Sequence, residues 1–229
     1  MLSFIKRSFL TILFLIAEVV LFVFIIFVNP SCIRILQWVS ILLCFLFAVG
    51  MTRKFSLINL ALMLTVIADG FLVLPVSPIQ APGTTFFACA SIVYFLFLFL
   101  KESGKTRKIH VISRIFLIIA VLVVARIVLK EKTDYLSMIS MFYFTNLILN
   151  LVFSFVTFRS NKLLSIGLIL FALCDIVVGL SSGANVYIPV KEGGIIYSII
   201  NAPINLAWLF YLPSQVIIAM FGVINSKRK

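Results

Sequence analysis

Phe9 to Val28 reads FLTILFLIAEVVLFVFIIFV, twenty residues with a single charge at Glu18. A helix of that length rises about 30 Å, the thickness of a bilayer's hydrocarbon. In lipid, backbone polar groups are satisfied only by helices or closed barrels. Barrel strands alternate over about ten residues, whereas this run is continuously apolar. The stretch therefore reads as a membrane-spanning helix. Lys6 and Arg7 precede it as they would in a signal peptide. The run exceeds a signal core and lacks an A-x-A-like site, so it reads as a retained first helix.

The same pattern recurs outward from this stretch. Further spans are expected over Ile33–Gly50, Ser56–Leu74, Thr84–Leu100, Val111–Leu129, Tyr135–Phe158, Leu163–Leu180 and Ala202–Ile224. Asn29-Pro30 stops the first. Pro75, Pro78, Pro82 and Gly83 mark the third connection, and Gly183, Pro189, Gly193 and Gly194 the seventh. The expected fold class is all-α: a polytopic transmembrane bundle of about eight helices in a single domain, 1–229.

Composition agrees. Of 229 residues, 63% are hydrophobic and 11% charged; a soluble domain carries about 25% charged residues. The net charge of +12 would suggest nucleic acid in a soluble protein. Here the cations sit between apolar runs, which makes them topology signals, with membrane lipids as partners and no role for nucleic acid. With the N-terminus in the cytoplasm, thirteen Lys and Arg fall on inside segments and four (Arg34, Lys130, Lys132, Lys191) outside. Both termini of this cell-membrane protein are then expected inside. Arg114 and Arg126 fall in the fifth span. Arg34 and Arg126 lie near the outer boundary, where each either binds a lipid phosphate or snorkels.

Cys32, Cys44, Cys89 and Cys174 form no C-x-x-C pair and read as small buried hydrophobes. His110, the single histidine, falls in a basic connection. No metal site and no Ser-His-Asp triad is expected.

Three carboxylates interrupt the spans: Glu18, Asp69 and Asp175. A charge at membrane depth is costly and marks a functional candidate. Glu18 either serves such a role or is satisfied by a hydrogen bond or an arginine. Asp69 and Asp175 each fall about five residues before the outer end of a span, roughly 7–8 Å below it. They are 106 residues apart, near half the chain, which is compatible with two parallel four-helix repeats. A polar stripe in the sixth span (Tyr143, Asn146, Asn150, Ser154, Thr157) serves either as interhelical glue or as cavity lining. Trp208, Tyr211 and Gln215 share a face of the last span, broken by Pro213.

At these residues the chain resembles a known family. Leu60–Leu74 (LALMLTVIADGFLVL), Ala90–Tyr94 (ASIVY), Phe171–Leu180 (FALCDIVVGL) and Tyr211–Ala219 (YLPSQVIIA) are similar to the YhhN-like lysoplasmalogenases, eight-span membrane proteins. Helix number and length agree along nearly the whole chain; the motifs cover about a fifth of it. Ala68, Cys174 and Ser91 stand where the family typically has Gly, Ser and, in many members, His. The resemblance implies hydrolysis of the vinyl ether of a lysophospholipid-type substrate, releasing a fatty aldehyde, with no cofactor. Asp69 and Asp175 would be the catalytic residues, and Tyr94, Ser91, Tyr211 and Gln215 would bind substrate; on the cavity-lining and phosphate-binding readings above, Asn146 and Arg126 join them.

Carboxylates suit that chemistry. Protonation of the vinyl ether's β-carbon gives an oxocarbenium ion, which a carboxylate stabilises while water adds. Burial and a neighbouring like charge favour the protonated form of a carboxylic acid, so one member of a pair is acid and the other base, as in glycosidases. The same residues are compatible with a proton- or ion-coupled transporter or with a non-catalytic lipid-binding protein.

Overall fold

The computed structural model describes residues 2–28, 32–52, 54–102, 104–130, 133–158, 162–184 and 190–227. Asn29 and Pro30, the expected stop of the first span, Pro189 of the seventh connection, Lys132 of the outside set and Arg53, Arg159, Arg228 and Lys229 of the thirteen inside cations lie outside them. The described residues are mostly helical: α1 (Leu2–Val23), running into a π-helical turn (Phe24–Val28), α2 (Ile33–Met51), α3 (Leu57–Leu72), α4 (Gln80–Lys101), α5 (Gly104–Leu129), α6 (Tyr135–Thr157), α7 (Leu163–Gly183), the short α8 (Ile195–Ile200) and α9 (Leu206–Lys227).

All the long helices except α3 are long and apolar enough to cross a membrane, seven in number among the described residues. The 16 residues of α3 rise about 24 Å. The chain is thus built as a multi-pass helical bundle. Its outer surface confirms the solvent it is made for: Phe9, Ile16 and Val19 on α1 and Ile112, Phe116 and Val128 on α5 are all exposed. Water would penalise such a continuous apolar face.

Helix boundaries follow local chemistry. The Ser56 hydroxyl caps α3 by accepting from the Asn59 N–H at 3.2 Å. Asp134 and Ser137 form a reciprocal capping box at the start of α6, the Ser137 N–H donating to Asp134 Oδ1 at 2.8 Å. Both donors from Ser137 hold the Asp134 carboxyl below its usual range.

Several sequence-based boundaries are corrected. Helix α4 begins at Gln80, so Pro82 and Gly83 are helical rather than loop. Proline is tolerated in a first turn, where its missing N–H would have no partner. Gly83 lets α3 approach closely, since a Cβ there would lie 2.5 Å from Leu72 Cγ. Gly183 likewise belongs to α7. Helix α5 begins at Gly104, seven residues before the expected Val111, which removes His110 from the connection and places it in the helix. Gly104 adopts φ +52° at this tight turn, a conformation open to glycine without strain.

Six helices close a ring in the order α2, α3, α4, α6, α7, α9 and back to α2, with α3 also touching α9 across it. Helix α1 packs outside on α2, and α5 outside on α6. Exchanging α1, α2, α3, α4 for α5, α6, α7, α9 preserves these outer and ring neighbours. This matched adjacency is compatible with two parallel four-helix halves, with α8 an addition to the second. In lipid, close packing rather than apolar burial holds helices together. Gly167 serves this between α7 and α9: a Cβ there would lie 2.7 Å from Ile218 Cγ1 and 3.3 Å from the Ser214 carbonyl oxygen.

Candidate functional site

Asp69 lies one turn before the end of α3, and Asp175 about two turns before the end of α7. The depths measured from the helix ends therefore differ, because α3 is shorter and α7 longer than their expected spans. The ring nevertheless turns both side chains toward one aromatic-lined centre, where the tyrosines that hold them share Phe87 and Phe171 as neighbours. The Tyr211 hydroxyl, from α9, donates to Asp69 Oδ2 at 2.5 Å. The Tyr143 hydroxyl, from α6, donates to Asp175 Oδ2 at 2.5 Å. Asp69 is 3% exposed, whereas Asp175 is only partly buried.

Aromatic rings enclose this centre. Phe87 of α4 stacks on Tyr143 with centroids 5.7 Å apart and meets Phe171 of α7 edge-on at 5.7 Å. Phe171 lies 5.5 Å from Tyr211, and Trp208 meets Tyr211 edge-on at 5.1 Å. Such geometry fixes ring orientation and so aims both hydroxyls. Pro213 removes one backbone donor from α9. Within that turn the Ser214 hydroxyl donates to the Tyr211 carbonyl at 2.6 Å.

Tyr94, on α4 two turns beyond Phe87, has a buried hydroxyl with no hydrogen-bond partner. Gln215, one turn beyond Tyr211, keeps a buried Oε1 without a partner, while its Nε2 donates to Ser214 Oγ at 3.2 Å. Buried polar groups are normally satisfied, so these two are available to a bound molecule or water.

Three expected substrate-binding residues are not part of this centre. The Ser91 hydroxyl turns back to the Ala88 carbonyl at 2.7 Å. Arg126 is exposed on α5. The Asn146 side-chain oxygen accepts from Arg114 Nη1. The polar stripe of α6 is divided among neighbours: Tyr143 to Asp175, Asn146 and Asn150 to Arg114, Ser154 to Ser165 Oγ at 2.8 Å, and Thr157 to Glu102 Oε1 at 3.1 Å. It is interhelical glue.

A second buried polar cluster went unread in the sequence. His110 Nδ1 lies 2.9 Å from both oxygens of Glu102, the C-cap of α4. His110 Nε2 lies 2.9 Å from Arg114 Nη2, which also donates to Asn150 Oδ1 at 2.7 Å. Asn150 Nδ2 in turn donates to the Ser91 carbonyl at 2.7 Å. His110 stacks on Phe153 at 3.7 Å, and Arg114 lies over Phe95 at 4.2 Å. Glu102, His110 and Arg114 span eight and four residues. His110 and Arg114 share a face of α5 only once that helix is known to start at Gly104, and Glu102 reaches them from the end of α4.

Glu18 is satisfied by hydrogen bonds rather than by an arginine. Ser40 Oγ donates to Oε2 at 2.8 Å and Cys44 Sγ to Oε1 at 3.6 Å, tying α1 to α2. Arg34 Nη1 donates to the Pro75 carbonyl at 3.2 Å, joining the starts of α2 and of the third connection. Cys44 and Cys174 are buried as expected, but Cys32 and Cys89 are exposed.

Comparison with protein-family models, curated proteins and solved structures finds no match to the chain.

Proposed function

We propose that the protein is a membrane hydrolase that cleaves the vinyl ether of a lysoplasmalogen-type lipid, with Asp69 and Asp175 as its acid and base. One observation carries the reading: two carboxylates from different halves of the chain are each held by a tyrosine hydroxyl, and both tyrosines pack against the same pair of rings, Phe87 and Phe171. Such pairing fixes both carboxylates on rigid helices, as acid–base work requires. In the proposed reaction one aspartic acid gives its proton to the β-carbon of the vinyl ether. The charge that develops on the oxocarbenium ion is stabilised by the other carboxylate. Water adds to the cation and loses a proton to that carboxylate. The hemiacetal then collapses to a fatty aldehyde and the free glycerol hydroxyl.

The surroundings support this chemistry. Asp175 keeps accessible surface on a helix whose neighbouring Leu173 and Ile176 are exposed; a lipid chain approaching from the bilayer would reach it there. The unpartnered Tyr94 hydroxyl and Gln215 Oε1 would orient water or the glycerol oxygens. The charge distribution supports an orientation with both termini in the cytoplasm and the aspartates near the outer face.

A proton- or ion-coupled transporter is the second reading. It is favoured by the matched adjacency of the two halves and by the buried Glu102–His110–Arg114 cluster, groups typical of proton pathways. Purified protein incubated with a lysoplasmalogen distinguishes the two. Aldehyde release that disappears in Asp69→Asn supports the hydrolase. Its absence, together with proton-coupled uptake in vesicles, supports the transporter.

A further inference from the structure

The end of the bundle opposite the aspartates carries a cavity of about 770 Å³, within the range of ligand pockets. Three cations from three helical regions line it: Arg7 of α1, Lys54 after α2 and Lys101 at the end of α4. No carboxylate lies along its lining. Ser56 and Asn225 add polar groups, and Phe97 supplies part of an apolar floor. None of the three cations has an ion-pair partner among the described residues.

A second cavity, about 420 Å³ and almost wholly apolar, adjoins it. It runs between α1 and α2 along Leu10, Leu13, Ala17, Leu46 and Gly50, and Met51 lines both. A polar cationic chamber beside a hydrocarbon groove, with Met51 on the wall of both, has the layout of an amphiphile with an anionic head. A soluble anion would have no use for the groove, and a zwitterionic lipid would leave the cations uncompensated.

We propose that these neighbouring cavities together bind an anionic glycerophospholipid, its phosphate held by Arg7, Lys54 and Lys101 and one acyl chain lying in the groove between α1 and α2. The lipid would bridge α1 to the ring, where the polar tie within the bilayer is Glu18 with Ser40 and Cys44. The site is independent of the aspartate centre and does not rest on the hydrolase reading. Arginine and lysine near a membrane surface each contribute to anion binding; three converging on one chamber concentrate that attraction in a single place.

The test is native mass spectrometry of the full chain in detergent. It is titrated with dioleoyl phosphatidylglycerol, with dioleoyl phosphatidylcholine, and with inorganic phosphate as competitor. One phosphatidylglycerol is expected to be retained about tenfold more tightly than phosphatidylcholine. The triple change Arg7→Gln, Lys54→Gln, Lys101→Gln is expected to weaken retention about a hundredfold. Gly50→Leu puts a side chain into the groove from a position where a Cβ meets nothing within 4 Å. It should weaken lipid retention while leaving thermal stability unchanged. Equal retention of both lipids, or full retention by either variant, would overturn the proposal. Displacement of the lipid by inorganic phosphate at equal concentration would do the same, by assigning the chamber to a free anion.

Discussion

Tyr211 and Asp69 stand 142 residues apart in the chain and meet at 2.5 Å, the hydroxyl donating to a carboxylate that is almost completely enclosed. The bond ties the last helix to the third across the helical ring. Tyr211→Phe keeps the ring contacts to Phe171 and Trp208 but leaves Asp69 without this donor. Stability against denaturation in mixed micelles is expected to fall by about 1–2 kcal/mol. An unchanged unfolding midpoint would show that the bond does not organise the centre.

Arg114 and Arg126 lie on the same helix in opposite situations. Arg114 holds Asn146, Asn150 and His110 in the interior, while Arg126 is exposed. Arg114→Met removes the partner of a buried network and is expected to cost about 3–5 kcal/mol. Arg126→Met should stay within about 0.5 kcal/mol. Unfolding curves for the two variants under one condition check the contrast.

Gly167 and Gly179 make a similar pair on α7. A Cβ at Gly167 would press on Ile218 and the backbone of α9, whereas at Gly179 it meets nothing within 4 Å. Gly167→Leu is expected to destabilise by about 1–3 kcal/mol by forcing α7 from α9. Gly179→Ala should be neutral or slightly stabilising. Thermal unfolding of each variant in detergent measures the difference.

Much of this architecture was legible in the sequence because the membrane imposes a coarse code. Phe9–Val28 reads as a span on length and apolarity alone, and the cations punctuate the rest. Asp69, Asp175 and Tyr211 stood out because a polar group at membrane depth must have a reason. Their meeting was not legible, since it depends on how α3, α7 and α9 close the ring. The start of α5 is not legible, because Lys105, Arg107 and Lys108 look like a loop yet ride on the first turns of a helix, and Glu102, His110 and Arg114 therefore do not read as one cluster. The stripe of α6 shows which face is polar and not which neighbour satisfies it, so Asn146 reads as cavity lining as readily as glue.

Orientation is testable at Cys32, which is exposed at the start of α2, on the same side of the bundle as the aspartates. In a variant with Cys44, Cys89 and Cys174 replaced by alanine, a membrane-impermeant maleimide added to intact cells is expected to label Cys32. Labelling only after permeabilisation would reverse the assigned orientation.

The most direct measurement is fatty-aldehyde release from a lysoplasmalogen by purified protein and by Asp69→Asn, Asp175→Asn and the double variant. Residues that act as one unit are not additive. The wild type is expected to release aldehyde, each single variant to lose nearly all of it, and the double variant to be no worse than either single. A well-folded wild type that releases none, or an Asp69→Asn variant that keeps the full rate, would contradict the two-carboxylate hydrolase.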